Sequence, residues 1–388
     1  MQNTYSTVPV SIVPVSDKKQ LKQFLDFPYD LYRGEAHWRA PLRFDRATQI
    51  DPQKNPNLKG LEIQHFLALK GTEIVGRVSA IVNPHYLTKH NDNTGHFGNL
   101  DTQPDPEIMK ALFGTVETWL KQRGLTRILG PFNMGINEDL GLLVDGFDTP
   151  PVVAMPYGRS DYQTTIEGLG FTKAKDILAF WTNMHEGYPR APAVDLLVKM
   201  VDTRADYNLR PMKKGKLKQE MRLAVDIFND AWSENWGFVP FTHEQADHMS
   251  GEMMPVLIRD FFWFVEYKGE PAAFLLMLPN VNEASVGLDG KLLPFGWAKF
   301  VNRLKFKQMK TSRILFMGVR KEFQGKRSGT AMAGALSEKS FEMARNRGYT
   351  HTEMSWILED NKSMIRIIEQ AKGVPYKTYR MYEKPITE

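Results

Sequence analysis

The 388-residue sequence contains no cysteine. That absence excludes disulfides, thiolate nucleophiles and zinc or iron–sulfur sites built on sulfur, and it fits a reducing compartment. Long apolar runs are missing too: none approaches the roughly 18 residues that a membrane-spanning helix needs. The opening stretch, MQNTYSTVPVSIVPVS, has neither the basic nor the apolar region of a secretory signal, so a cytoplasmic protein is expected. Neither sign of charge dominates, with 50 Lys and Arg against 45 Asp and Glu, a net +5. So mild an excess suits an anionic ligand or an acidic surface rather than the dense footprint of a nucleic-acid protein, and no nucleic-acid partner is expected. Histidines number only nine. His243 and His248 are five positions apart and fall on different faces of a helix, and no metal is expected.

What is present is an ordinary globular composition, 42% hydrophobic and 24% charged, at a length that suits two domains. In the first half, residues 65–71 and 73–82 flank a Gly-Thr turn and read as a β-hairpin. Residues 96–100 read as a further strand. Asp105-Pro106-Glu107 then combines an N-cap, a first-turn proline and an acidic first turn. The helix it opens carries Ile108, Met109, Leu112, Phe113, Val116 and Leu120 on one face. Gly124 stops it, and 126–132 reads as the next strand.

The second half repeats this plan. A helix with Met221, Ala224, Ile227, Phe228 and Trp232 on one face precedes strands at 260–267, 272–279 and 313–319. A loop and a helix from about Gly329 to Arg347 follow, then a strand at 351–358. Arg123-Gly124-Leu125-Thr126 corresponds to Arg347-Gly348-Tyr349-Thr350, and thirteen residues after each glycine stands Asn137 or Asn361. A duplicated domain follows from that order. The expectation is a mixed-sheet α+β fold in two domains, 1–186 and 213–388, joined by a proline-bearing linker at 187–212.

The stretch GVRKEFQGKRSGTAMAGAL (318–336) is the most informative. A strand ends at Val319, and Gln324-Gly325-Lys326-Arg327-Ser328-Gly329-Thr330 opens a helix. Glycines admit a ligand close to the backbone, unpaired amides and the helix dipole favour an anion, and Lys321, Lys326 and Arg327 add positive charge. A solvated basic turn is the plainer alternative. Neither the P-loop nor the dinucleotide spacing is present.

This strand, loop and helix resemble the acyl-CoA pyrophosphate loop of the GNAT acyltransferase superfamily, which usually reads [RQ]-x-x-G-x-[GA]. Val319, Gln324 and Gly329 match, while Arg327 stands where the first glycine is usual. EDNKSMIRIIEQAKG (359–373) is similar to the family's second signature at Asn361 and Gly373, but has Met364 for its alanine and Ile368 for its frequent tyrosine. The first half has TQPDPE where the loop would be, so a single acyl-CoA site, in the second half, is implied. Longer phrases, at 130–147, 234–245, 355–361 and 376–384, resemble a bacterial tandem-GNAT family to which the bacterial ceramide synthases are related.

The resemblance implies N-acyl transfer from acyl-CoA to an amine acceptor, small or lipid-like, by direct attack on the thioester. An amine with pKa about 10.4 needs roughly 4 kcal/mol to free its lone pair at pH 7, so a carboxylate should take the proton. Glu359 is the first candidate and Glu353 the second, with Asn361 beside them. Tyr379 or Tyr382 is the candidate proton donor in place of the residue at 368. Amides near Val319 would stabilise the oxyanion. The plainer alternatives are that Glu359-Asp360 caps the helix at Asn361 and that the tyrosines belong to the core.

Acceptor-site candidates are Asn133, Asn137 and Glu138 in the first half and Asn235, Trp236 and Trp356 in the second, against ordinary roles as caps and turn formers. Residues 291–313 interleave basic residues with Leu, Phe, Trp and Met. They read either as a lid or peripheral contact with an anionic inner-membrane surface, or as a surface helix whose apolar face joins the core. His96 and Asp101 match the H-x-x-x-x-D pattern of glycerolipid acyltransferases, but about 0.5 such matches arise by chance. An aminoacyl-tRNA-dependent transferase and a non-catalytic binding protein on the same scaffold are the competing readings.

Overall fold

The computed structural model describes residues 8–135, 138–186, 192–306 and 309–387. They fall into two compact units, Met1–Ile177 with Gly287–Lys291 and Lys377–Glu388, and Leu178–Val286 with Leu292–Tyr376. The fold is mixed α+β.

The N-terminal unit runs β1 (Val10–Pro14), α1 (Lys18–Leu31), α2 (Arg43–Gln49), β2 (Glu62–Lys70), β3 (Glu73–Val82), α3 (Pro84–His90), β4 (Thr94–Thr102), α4 (Pro106–Lys121), β5 (Arg127–Gly130), β6 (Leu142–Asp145) and α5 (Tyr162–Gly168). It continues into the first half of β7 (Thr172–Asn183). β1 to β4 form an antiparallel meander, with Lys70 opposite Glu73 at the expected hairpin. Asp105 caps α4 by accepting the Glu107 amide at 3.0 Å. The six apolar residues read as its inner face are buried. α4 ends where Gly124 takes φ +75° and the Leu125 amide reaches back to the Leu120 carbonyl, a left-handed closure that glycine adopts without strain. β5 then lies parallel to β4, from Thr94↔Arg127 to His96↔Leu129.

The C-terminal unit repeats this course. After the second half of β7 come α6 (Pro192–Thr203), β8 (Tyr207–Pro211), α7 (Leu217–Trp232), α8 (His243–Met253), β9 (Phe262–Tyr267), β10 (Glu270–Pro279), α9 (Asn282–Ser285) and α10 (Gly296–Phe306). β11 (Thr311–Val319), α11 (Arg327–Asn346), β12 (His351–Leu358), α12 (Lys362–Gln370) and the start of β13 (Val374–Pro385) complete it. β8 to β11 are antiparallel neighbours in order, and β12 lies parallel to β11, from Thr311↔His351 to Ile314↔Met354. Gly348 closes α11 at φ +79° as Gly124 closes α4. One face of this sheet packs Ile314 and Val319 against Ala331, Met332 and Leu336 of α11. The other packs Phe264, Phe274 and Leu276 against Met221, Ala224 and Phe228 of α7.

The linker expected at 187–212 carries a helix and a strand instead. Pro192 is the first residue of α6, where proline is tolerated. Val194, Leu197, Val198 and Val201 repeat at helical spacing against the core. Val198 sits so close to Gly334 that a Cβ there would stand 2.5 Å from it.

His96 and Asp101 do not form a catalytic pair. His96 is 3% exposed, its Nδ1 lies 3.3 Å from the Leu129 carbonyl, and it meets Tyr86 and Phe132 edge-on. Asp101 accepts from the Tyr32 hydroxyl at 2.6 Å and from Arg77 Nε at 2.8 Å. Burial pushes the His96 imidazole down to about 4. Below its ordinary value near 6.5 the unfolded chain therefore binds a proton that the folded chain refuses. Stability should fall as pH drops from about 6.5 to 4, by up to roughly 3 kcal/mol from this group. Urea melts at pH 7 and 4.5 check this, and His96→Phe should flatten the dependence by that share.

Candidate functional site

β11 and β12 stay in register only as far as Ile314↔Met354, while β11 runs on to Val319 beside β10. The Arg320 amide donates to the Ala272 carbonyl on β10 at 2.9 Å. By the two-residue alternation of a strand, the backbone groups of Met317 and Val319 turn the other way. Their carbonyls are taken by side chains: Trp232 Nε1 donates to Met317 at 2.9 Å, and Gln324 Nε2 donates to Val319 at 2.8 Å. Their amides are left facing the opening beyond the last β11–β12 pair.

The strand leads into a loop held by the end of α7. The Lys321 amide donates to Asp230 at 2.8 Å, Lys321 Nζ pairs with Glu234 at 2.6 Å, and Gln324 Nε2 also reaches the Ala231 carbonyl. Gly325 takes φ +70°, the one left-handed turn in the loop. α11 then begins with Lys326 at its N-cap position, and no side chain accepts its first amides. Those of Arg327, Ser328 and Gly329 point out of the helix end, where the dipole favours an anion. Thr330 is already inside the helix, its amide bonded to the Lys326 carbonyl.

Lys326 and Arg327 are exposed, with no carboxylate partner among the described residues. Arg327 occupies the first helical position, so the side chain that replaces a glycine there brings a guanidinium to the rim without straining the backbone. The missing side chain of Gly329 is a packing requirement: a Cβ on it would stand 2.2 Å from the Phe323 carbonyl oxygen.

The corresponding helix of the first unit is closed. Asp105 occupies the α4 N-cap and pairs with Lys70 Nζ at 2.6 Å. The chain also fills the place beyond the β4–β5 pairs. The Phe132 amide bonds the Phe97 carbonyl, the Asn133 side chain accepts the Asn99 amide at 2.7 Å, and Gly98 has a Cβ position only 1.8 Å from the Phe132 carbonyl oxygen. Asn133 is thus a brace. Glu138 accepts from Gln49 and Asn57, and Asn137 lies outside the described residues.

Below the β11–β12 opening the structure gives Glu353 partners that the spacing did not announce. Arg313 and Glu353 face each other across the two strands, 2% and 0% exposed, with Nε 3.7 Å from Oε1. The Ser355 and Tyr376 hydroxyls donate to the two oxygens of Glu353. Arg313 Nε also donates to Ser355 Oγ at 2.9 Å. Tyr376 is half-buried and packs beside Trp181, which stacks on His351. Glu353 is the second of the two base candidates read from the sequence, and an arginine inside the largely apolar run SRILFMGV is the signal for its partner.

Other candidates are placed elsewhere or otherwise occupied. Tyr379 and Tyr382 belong to the N-terminal unit. Tyr379 is fully buried opposite Leu143, and the Tyr382 hydroxyl donates to Glu167 at 2.9 Å. Asn361 caps α12 by accepting the Met364 amide at 3.1 Å, and the backbone carbonyl of Glu359 accepts from Lys362 Nζ. Asn235 and Trp236 follow α7 and are half-buried, with the Asn235 carbonyl accepting the Phe238 amide. Trp356 stands on β12 two residues past the last one paired with β11. His243 and His248 each meet a carboxylate, Asp226 and Glu252, and no metal-binding cluster occurs among the described residues.

No protein-family model matches the chain. Curated relatives do. The chain is 39% identical over 370 residues to Protein YghO of Escherichia coli (strain K12), covering 95% of this chain and 94% of that one. It is 39% identical over 380 residues to the bacterial ceramide synthase of Caulobacter vibrioides (strain NA1000 / CB15N), covering 97% and 98%. Among solved structures it is similar to a tandem GNAT protein from the clavulanic acid biosynthesis pathway, with a TM-score of 0.57 at 13% identity over 98% of this chain and 99% of that one.

Proposed function

The chain belongs to the tandem GNAT family that includes Protein YghO and the bacterial ceramide synthase, and from that premise we propose that it is an acyl-CoA-dependent N-acyltransferase. One observation carries the reading. Of the two equivalent helices, α4 is closed by a carboxylate, while α11 opens on uncapped amides flanked by Lys326 and Arg327. Such an end fits a diphosphate, and the outward amides of Met317 and Val319 fit the amide-bearing arm that extends from it. A bound acyl-CoA supplies an activated acyl group as a thioester.

The chain's own residues then have separate tasks. Arg327, Ser328 and Gly329 hold the anion through backbone amides. The Met317 amide, the one of the pair farther from the anion, is the donor for negative charge developing on the acyl oxygen, which leaves the Val319 amide to the arm. Tyr376 is the group an incoming amine meets, and its hydroxyl passes the amine's proton to Glu353, which Arg313 and Ser355 hold in place. Glu359 follows β12 and is half-buried; the proton task is assigned to Glu353 because the Tyr376 hydroxyl stands against its carboxylate. Trp356, Asn235 and Trp236 are the acceptor-side residues of the same unit.

The relative named as a ceramide synthase supports a long-chain acyl group and a sphingoid-type amine. Purified protein should form amide from palmitoyl-CoA and sphinganine at least tenfold faster than from acetyl-CoA, read as product by mass spectrometry and as thiol release. Equal turnover of the two donors would remove the long-chain assignment, and no thiol release with either donor would remove the enzyme.

A further inference from the structure

Leu293, Phe295 and Trp297 are 80%, 75% and 54% exposed. Single exposed apolar side chains are ordinary, but three within five residues form a patch. Leu293 and Phe295 stand on a turn and Trp297 in the first turn of α10, with the Trp297 amide bonded to the Leu292 carbonyl at 2.6 Å. The turn opens α10, whose opposite side is anchored: Phe300 and Leu304 pack against the core, and Arg303 donates to the Ala284 and Val286 carbonyls. The helix is therefore a rigid mount that projects three large apolar groups outward. On its exposed side Lys299 and Lys305 have no carboxylate partner among the described residues.

We infer that this turn and the exposed side of α10 form a docking surface for an anionic lipid bilayer. Aromatic and leucine side chains beside two exposed lysines match an interface that is apolar below and negatively charged above. A second copy of the chain is a poorer fit, because three side chains fall short of the roughly 800 Å² per partner that a stable protein interface buries. No described helix is long and apolar enough to cross a membrane, so contact of this kind lies at the surface. Of the region read in the sequence as either a membrane contact or a core-facing helix, Phe300 and Leu304 face the core, while Leu293, Phe295 and Trp297 face outward.

The test is co-sedimentation of the full chain with vesicles of phosphatidylcholine alone and of phosphatidylcholine with phosphatidylglycerol. Binding to the anionic vesicles is expected, falling as salt rises. The triple variant Leu293→Ser, Phe295→Ser, Trp297→Ser should lose at least about tenfold in binding while melting as the parent does. Lys299→Glu with Lys305→Glu should lose roughly fivefold per position at low salt and abolish the preference for the anionic lipid. Absence of binding at low salt, or equal binding by the triple variant, overturns the inference. So does a parent dimer that the triple variant converts to monomer, since the patch would then be a self-interface. Vesicle binding is read without turnover, so its failure leaves the acyl-transfer reading untouched.

Discussion

Lys326→Asp should make the protein more stable and nearly unable to bind acyl-CoA. Asp105 shows what the substitution does: at the N-cap of α4 its carboxylate accepts an amide and closes the helix end. α11 has Lys326 at that position and no cap. A carboxylate there would take the Ser328 or Gly329 amide and favour the dipole, stabilising the C-terminal unit by about 1 kcal/mol. That should raise its Tm by about 2–4 °C. The same carboxylate would stand where a diphosphate must dock, removing a cation, adding a like charge and occupying an amide. Each charge-assisted hydrogen bond lost is worth about 1.5–3 kcal/mol, so CoA affinity should fall at least about a hundredfold. Calorimetric titration with CoA and palmitoyl-CoA, beside a thermal melt, reads both signs at once. A variant that binds as the parent does, or that melts lower, would mean that the uncapped helix end is not the anion site.

Replacing Glu353 should abolish turnover whatever happens to stability. Glu353→Gln leaves Arg313, 2% exposed, without its anion, and breaking a buried pair costs about 3–5 kcal/mol. A loss of activity in that variant alone would therefore mix folding with chemistry. The double variant Arg313→Met, Glu353→Leu separates them. Removing both charges for apolar groups of similar size is often neutral for stability, so the melt should return near the parent's. Turnover should stay down by about a hundredfold to ten-thousandfold, the usual worth of a general base, with CoA affinity unchanged. Tyr376→Phe should lower kcat more than it raises KM. Recovery of activity in the double variant would show that Glu353 only braces the strands.

Much of the scaffold could be read along the chain. The β2–β3 hairpin, the Asp105 cap, the apolar face of α4 and the glycine stops at Gly124 and Gly348 are local devices, each set by residues within a turn or two of one another. So is the duplication, because both units use the same devices in the same order. α6 was hidden because Pro192 reads as linker until the spacing of Val194, Leu197, Val198 and Val201 is set beside it.

The site divides along the same line. Sequence alone determined that one helix start is glycine-bearing, basic and free of an acidic cap while its counterpart carries aspartate. That contrast is written in consecutive residues. The tertiary structure decided which side chains meet below it. Tyr376, Tyr379 and Tyr382 lie within seven residues of chain, yet only Tyr376 donates to Glu353, and Tyr382, a residue of the N-terminal unit, donates to Glu167 of that same unit. Arg313 and Glu353, forty positions apart, are brought together by strand register. Alternation along a strand assigns a side chain to a face, but its partner is set by the neighbouring strand, and that pairing is a property of the folded sheet rather than of adjacent residues.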